Sequence, residues 1–256
     1  KKASMRRARN VFGLQMARST YEGTKALMKN RRPFNLTRSA YAGIQRYATM
    51  WTGDTNSTWE SLALNIPMFT SLGLSGEPFV GSDVGGFIGR GNGELLVRSY
   101  QVSFLAPFCR NHKVIDGYDQ EPWRFGKYYE DVIRKYLKLR YALLPYLYTA
   151  LEEAHRSGVP PFRPLLLNYQ DDPSTYNLDD QFMVGDDLLL APILKPDVTR
   201  RLVLGDHVAE PVDGCRVIAL RQIESADFHL LGGELVLGHG DLELGVGDVH
   251  LDDLRQ

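Results

Sequence analysis

The chain has little cysteine, no surplus of charge and no long apolar run. Cys109 and Cys215 are its two cysteines among 256 residues, and their spacing suits neither a disulfide framework nor a zinc site. With 30 basic and 31 acidic residues, its net charge of -1 predicts neither a nucleic acid nor a membrane surface as partner. No stretch reaches the roughly 18 apolar residues that span a bilayer, and the first residues lack the apolar core of a signal peptide. A cytoplasmic location is slightly favoured, and no cofactor or metal is expected.

Residues 1–157 alternate between helical and strand-like segments. Apolar residues recur at near-helical spacing in four segments, 11–28, 58–72, 94–105 and 131–154. Pro145 should kink or divide the last of these. Segments 33–37 and 77–80 predict strands, the second of which enters a glycine-rich turn. This repetition predicts parallel strands joined by crossovers, with ligands at their carboxyl ends. Because three or four units can be counted and a closed barrel has eight, the predicted fold class is α/β, a partial TIM-type (β/α)8 barrel.

From about Gly158 the pattern changes. Pro160-Pro161 should end the preceding helix, and 162–167 and 186–194 predict apolar strands. Short alternating stretches follow at 200–204, 217–220, 235–237 and 242–249, separated by Gly and Asp. The pattern predicts a smaller, sandwich-like all-β domain over 158–256.

Three polar clusters end short apolar runs in the first 157 residues. They read R-S-A-Y-A-G-I-Q-R-Y-A-T-M-W-T-G-D at 38–54, G-S-D-V-G-G-F at 81–87 and P-F-C-R-N-H at 107–112. Three such endings predict one site assembled from several strand tips. A carboxylic acid beside guanidinium groups and an indole ring is suited to gripping a sugar and protonating its leaving oxygen.

Asp54 is the candidate general acid/base. It follows Trp51 and Gly53, so that an apolar ring and bare backbone should partly desolvate its carboxyl group and favour the acid form. The alternative is a structural role as the N-cap of the helix that starts near Thr58.

The other candidate residues each have a functional and a structural interpretation. Arg38 is expected to reach a hydroxyl or a carboxylate and Arg46 to brace the site, although both could be structural cations. Trp51 and Phe87 are expected to stack on sugar C–H surfaces, or else to be ordinary core. Asp83 should hold Arg38 or a sugar hydroxyl, or fold its loop as an Asx-turn. A hydroxyl-binding role is favoured for His112 over a surface or core position.

Taken in order, these motifs resemble glycoside hydrolase family 31, the retaining α-glucosidases and α-xylosidases. Further matching stretches are V-F-G-L-Q-M-A-R-S-T-Y-E-G (11–23), Q-E-P-W-R-F-G (120–126), L-R-Y-A-L-L-P-Y-L-Y-T (139–149) and D-Q-F-M-V-G-D-D-L-L-L-A-P-I-L (180–194). The resemblance implies that Asp54 is the acid/base. It also implies a sugar subsite lined by Arg38, Trp51, Asp83, Phe87 and His112. W-T-G-D after Q-R-Y looks more like α-glucosidases than α-xylosidases.

The resemblance also implies an arrangement for the whole chain. Residues 1–157 would form the C-terminal half of the catalytic barrel and 158–256 the start of the following β-domain, which is atypical after about residue 202. The family's nucleophile is an aspartate in a W-x-D-M-N-E-type motif upstream of the segment corresponding to Val11, and no such motif occurs here. We therefore expect a fragment that lacks the nucleophile, is inactive or nearly so alone, and tends to associate through an incomplete barrel seam.

The activity implied is hydrolysis of α-linked glucosides by retaining double displacement. α-Xylosidase, α-glucan lyase and transglycosidase activities stay open within the family. A non-catalytic carbohydrate-binding or interaction module is the alternative from a different class. A nucleotide-binding protein that uses G-S-D-V-G-G-F-I-G as a phosphate loop is not favoured, because this run has neither the G-x-G-x-x-G order nor a P-loop lysine.

Overall fold

A computed structural model describes residues 4–115, 117–198, 201 and 203, and the backbone of 216–219. These residues form two four-stranded sheets with helices between and around them. The helices are α1 (Met5–Met28), α2 (Trp59–Leu74), α3 (Gly93–Ser103), α4 (Lys127–Ala142), α5 (Leu144–Ser157) and α6 (Leu165–Asn168). The strands are β1 (Leu36–Thr37), β2 (Thr49–Trp51), β3 (Val80–Val84), β4 (Phe108–Asn111), β5 (Phe162–Arg163), β6 (Phe182–Val184), β7 (Leu188–Ala191) and β8 (Arg216–Ala219).

The first sheet is wholly parallel and has the order β1-β2-β3-β4. Helix α2 joins β2 to β3 and α3 joins β3 to β4, which is the strand–helix repetition that the sequence predicts. A closed barrel of this kind has eight strands, so these four form half of one. The predicted α/β fold, a partial TIM-type barrel, is confirmed.

The two faces of this sheet differ. Val80 and Val84 of β3 pack with Leu62, Ile66 and Phe69 of α2 in the main apolar core. Since side chains alternate along a strand, Gly81 and Asp83 point to the opposite face, which is the inner face of the partial barrel. Helices therefore cover one face of the sheet, and the other carries the chemistry.

Several boundaries differ from those predicted. The predicted strand 77–80 in fact begins at Val80 and runs to Val84, so most of the glycine-rich segment lies in a strand and not in a turn. The reason is pairing, because residues 81–84 are in register with 108–111 of β4. Gly81 permits this close approach, since a Cβ there would lie 1.7 Å from the Phe108 carbonyl oxygen.

The predicted helix 131–154 is divided, as expected from Pro145. Helix α4 ends at Ala142, and Pro145 lies in the first turn of α5, where its missing N–H leaves no intrahelical bond unmade. The predicted strand 162–167 is wrong beyond Arg163, since Pro164 precedes the short helix α6. The strand predicted within 186–194 is β7.

The second sheet has the order β5-β6-β7-β8, with β5, β6 and β7 antiparallel and β8 parallel to β7. One of its faces, with Phe162, Phe182 and Leu190, joins the main core of helices α2 to α5. The other face forms a small cluster around Leu165, Met183 and Leu189. The predicted strands at 235–237 and 242–249 lie outside the described residues, as does most of 200–204.

Within the described residues, no helix is both long and apolar enough to cross a membrane, and no group of three or more His, Cys, Asp or Glu side chains is arranged to hold a metal ion.

Candidate active site

The parallel sheet brings the three predicted clusters to one edge. Arg38 directly follows β1, Asp54 follows β2 by three residues, Asp83 is the fourth residue of β3, and His112 directly follows β4. The four strands are parallel neighbours, so their carboxyl ends share an edge, and this is where active sites of such folds lie. The turn after β3 uses Gly86, which has a φ of +83° and allows backbone contact with Ser57.

Asp54 and Arg38 form an ion pair at this edge. Arg38 Nη1 donates to Asp54 Oδ2 at 3.0 Å, and the two side chains are 62% and 39% exposed, respectively. The predicted enclosure of Asp54 by Trp51 and Gly53 is therefore wrong for this structure, because the loop turns the carboxyl group toward Arg38. The alternative role as a helix cap is also wrong, since Thr58 caps α2 by accepting a bond from the Ser61 N–H.

Asp83 pairs with Arg110, a residue that the sequence reasoning missed. Nε of Arg110 donates to Asp83 Oδ1 at 3.1 Å, and Nη2 donates to the same oxygen. The prediction that Asp83 holds Arg38 or forms an Asx-turn is wrong in this structure, because Asp83 lies within β3 and its register partner on β4 is Arg110. Asp83 Oδ2 is buried and accepts no hydrogen bond within the described residues.

The electrostatics of Asp83 reflect its surroundings. Burial raises the pKa of this carboxyl group above its ordinary value. The hydrogen bond and charge of Arg110 oppose this shift, as does the charge of His112, whereas Asp54 adds to it. Charges at the tips of both neighbouring strands, β2 and β4, therefore act on Asp83 of β3, and we conclude that the three tips form one cluster.

Aromatic rings line the same cluster. The Arg110 guanidinium lies 5.3 Å from the Trp51 ring and 5.0 Å from the Phe108 ring, within the range of cation–π attraction. Phe87 and His112 stack with their ring centroids 5.2 Å apart and an interplanar angle of 25°. Trp51 Nε1 is buried without a hydrogen-bond partner among the described residues.

Hydrogen bonds tie the loops after β2, β3 and β4 together. The N–H of Phe87 donates to the Thr55 carbonyl at 2.8 Å, and Lys113 Nζ donates to Ser57 Oγ at 2.7 Å. The buried Gln120 side-chain amide donates to carbonyls of both the β3 and the β4 loops, including that of His112 at 3.2 Å. The stacked ring pair is thus held on a connected loop framework.

Arg46 is placed differently from the other candidates. It lies in a short 3-10 helix (Ile44–Arg46), where its Nε donates to the Gly43 carbonyl at 3.1 Å and its guanidinium lies over the Tyr47 ring at 5.3 Å. These contacts brace its own turn and not the strand-tip cluster. The structure joins the other six candidates, Arg38, Trp51, Asp54, Asp83, Phe87 and His112, through direct or electrostatic contacts.

Arg110 lay within a motif that the sequence singled out, P-F-C-R-N-H. The available signal was a charged residue directly after the apolar run Pro107-Phe108-Cys109, because a charge in a half-buried strand requires a partner. Asp83 could not be identified as that partner, because the register between β3 and β4 is set by the fold and not by local sequence.

The arrangement combines one accessible carboxyl group, two guanidinium groups, an imidazole and aromatic faces. Carboxyl groups perform the acid/base steps of glycoside hydrolysis, while the other groups can bind hydroxyls and apolar sugar faces.

Comparison with known proteins agrees with this chemistry. The family model for the glycosyl hydrolases family 31 TIM-barrel domain matches residues 1–150, and that for the family 31 C-terminal domain matches 158–208. Alpha-glucosidase 2 of Bacillus thermoamyloliquefaciens is 52% identical over 197 residues, which are 77% of this chain and 25% of that protein. Human neutral alpha-glucosidase AB is 44% identical over 185 residues, 72% of this chain and 20% of that protein.

Solved structures give the same result. The Glc1Man2-bound glucosidase II alpha subunit has a TM-score of 0.74 and 39% identity, covering 77% of this chain and 22% of that one. A dextranase of Flavobacterium johnsoniae complexed with glucose has a TM-score of 0.70 and 37% identity, covering 75% and 25%. The chain thus spans a quarter or less of the length of these relatives. The resemblance noted in the motifs is confirmed, and the chain belongs to glycosyl hydrolase family 31.

Proposed function

We propose that the strand-tip cluster is part of the active site of an α-glucosidase that hydrolyses α-linked glucosides with retention of configuration. The observation that carries the proposal is the accessible Asp54 carboxyl group, 3.0 Å from Arg38, on the same sheet edge as the Asp83–Arg110 pair and the Phe87–His112 stack. The names of the curated relatives, which are 40% to 52% identical α-glucosidases, support the choice of substrate.

In this proposal Asp54 supplies both proton transfers. As an acid it protonates the leaving glycosidic oxygen while a second carboxylate attacks the anomeric carbon, and as a base it then accepts a proton from the water that releases the sugar. The attacking carboxylate is not assigned to a residue of this chain. Asp83 is unsuited to that step, because its side chain is fully buried and Arg110 binds it.

The remaining residues bind and orient the sugar. Arg38 fixes the direction of the Asp54 carboxyl group and retains donors for a hydroxyl, since its side chain is largely exposed. His112 can hydrogen-bond a hydroxyl through its ring nitrogens while its face stacks on Phe87. Trp51 contributes an aromatic ring for the C–H surface of the sugar.

A non-catalytic carbohydrate-binding module is the second candidate function. The observation in its favour is the ion pair itself, because Arg38 already engages one oxygen of the candidate acid. The two functions differ in what Asp54 does. In an enzyme its carboxyl group transfers a proton, whereas in a binding module it only contacts the sugar.

Because no residue of this chain is assigned as the attacking carboxylate, the test uses the full natural protein in which this sequence occurs. Glucose binding is followed by NMR and hydrolysis with p-nitrophenyl α-glucoside. Asp54→Asn should abolish hydrolysis and leave glucose binding within a few-fold of the unmodified protein, whereas His112→Ala should weaken binding. Asp119→Asn, at an exposed aspartate paired loosely with Arg124 at 3.7 Å, is the matched control and should change neither.

Two results would count against the enzyme. Glucose binding without any hydrolysis that depends on Asp54 would favour the binding module. Failure to bind glucose, with no hydrolysis either, would refute both functions. A comparison with p-nitrophenyl α-xyloside distinguishes a glucosidase from a xylosidase.

A further inference from the structure

The exposed member of the Asp83–Arg110 pair is the arginine. The side chain of Asp83 is 0% exposed, whereas that of Arg110 is 28% exposed. Nε and Nη2 of Arg110 both bond to Asp83 Oδ1, and Nη1 makes no hydrogen bond within the described residues. The two N–H donors of Nη1 therefore have no protein acceptor within the described residues, on a side chain that is partly exposed, whereas Asp83 is fully buried.

The guanidinium is also held in place from its flanks. In the sheet, Gly81 of β3 pairs with Trp51 of β2 on one side and with Phe108 of β4 on the other. Two residues further along, Asp83 pairs with Arg110 on the same face. The rings of Trp51 and Phe108 lie 5.3 Å and 5.0 Å from the guanidinium. A donor fixed in this way loses little conformational freedom when a ligand binds.

The charge balance indicates the kind of ligand. Asp83 neutralises the charge of Arg110, so that the pair has no net charge with which to attract a phosphate or a carboxylate. Directed donors on a neutral pair suit the hydroxyl of an uncharged sugar.

We propose that Arg110 is a further substrate-binding residue, whose Nη1 donates to a hydroxyl of the bound sugar, and that Asp83 acts through Arg110 as a positioning residue. This inference rests on the proposed function and deepens it, because it assigns the sugar contact to the arginine of the pair and not to the aspartate.

Deoxy sugars provide a test that a purely structural role would not satisfy. Affinities for glucose and for glucoses that each lack one hydroxyl are measured by NMR titration on the unmodified protein, Arg110→Met, Arg110→Lys and Asp83→Asn. Arg110→Met should weaken glucose binding about ten-fold or more, as expected for the loss of a hydrogen bond from a charged donor. Arg110→Lys keeps the positive charge but loses the planar guanidinium group, so its affinity for glucose should lie between those of the unmodified protein and Arg110→Met.

The decisive result is non-additivity. One deoxy sugar should bind about ten-fold more weakly than glucose to the unmodified protein, but no more weakly than glucose to Arg110→Met, because the contact is already absent there. Asp83→Asn combined with Arg110→Met should bind glucose no more weakly than Arg110→Met alone. Arg124→Met, at an exposed arginine, is the control and should retain the full penalty for every deoxy sugar.

Failures of the two proposals are distinguishable. Suppose that the unmodified protein binds glucose, and that each deoxy sugar loses the same factor in affinity relative to glucose in Arg110→Met as in the unmodified protein. Arg110 then does not contact the sugar and this inference is wrong, although the proposed function stands. If the unmodified protein binds none of the sugars, the proposed function fails and this inference fails with it. Should Arg110→Met not fold, as judged by circular dichroism, Arg110→Lys carries the same cycle.

Discussion

Replacing Glu77 with glutamine should stabilise the protein above neutral pH. Glu77 precedes β3, at the edge of the sheet opposite the candidate site, and is only 7% exposed. Its carboxyl group has no hydrogen bond or ion pair within the described residues. Burial raises its pKa from the ordinary value of 4.5 to about 7, because the charged form loses its hydration without gaining a partner.

The sign of the effect follows from linkage. Below pH 4.5 the group is protonated in both the folded and the unfolded chain, and it costs nothing. Between 4.5 and about 7 the unfolded chain releases the proton and the folded chain retains it, so the free energy of unfolding falls as pH rises. At about 1.4 kcal/mol per pH unit, the loss amounts to about 3 kcal/mol above neutral pH.

Urea denaturation followed by circular dichroism, from pH 4.5 to pH 8, measures this difference. Glu77→Gln keeps the size of the side chain and removes its titration. The variant should match the unmodified protein at the acid end and exceed it by up to about 3 kcal/mol at the alkaline end. Glu121→Gln, at an exposed glutamate, is the control and should follow the unmodified protein throughout. Parallel pH profiles for Glu77→Gln and the unmodified protein would refute the reasoning.

Two further predictions concern the packing that holds the strand tips and the second sheet. Gly81→Ala should destabilise the protein by about 1–3 kcal/mol or more, because a Cβ would lie 1.7 Å from a carbonyl oxygen of β4. Its control is Gly23→Ala in α1, where no atom lies within 4 Å of a Cβ. This control should instead stabilise the protein by about 0.5–1 kcal/mol. Thermal unfolding compares the two, and equal effects would contradict the clash. Tyr146→Phe should cost about 1–2 kcal/mol, because the hydroxyl donates to the Val184 carbonyl at 2.8 Å and accepts from the Asp187 N–H at 3.2 Å; unchanged stability in urea would show that these bonds contribute nothing.

Local sequence was sufficient for the elements whose signals are local. Helices α2 and α3 have near-helical apolar spacing and side-chain caps at Thr58 and Asn92, and Pro145 marks the division between α4 and α5. The sequence predicts β3 too early, because Gly81 and Asp83 within it have low β-propensity. They are in a strand because β2 and β4 pair with them from either side, which is a tertiary effect.

In the candidate site, likewise, the sequence predicts which residues belong to the site but not which of them pair. The sequence identified which polar residues follow strands, and parallel topology then required them to share an edge. It could not assign the partners correctly, since it predicts that Asp83 holds Arg38 or a sugar hydroxyl, whereas Asp83 pairs with Arg110. The assignment depends on register, because a shift of one residue between β3 and β4 would turn Arg110 to the helix-covered face. With Arg110 opposite Asp83, Arg38 is left to pair with Asp54. The register between two strands thus determines which arginine meets the buried aspartate and which meets the candidate acid.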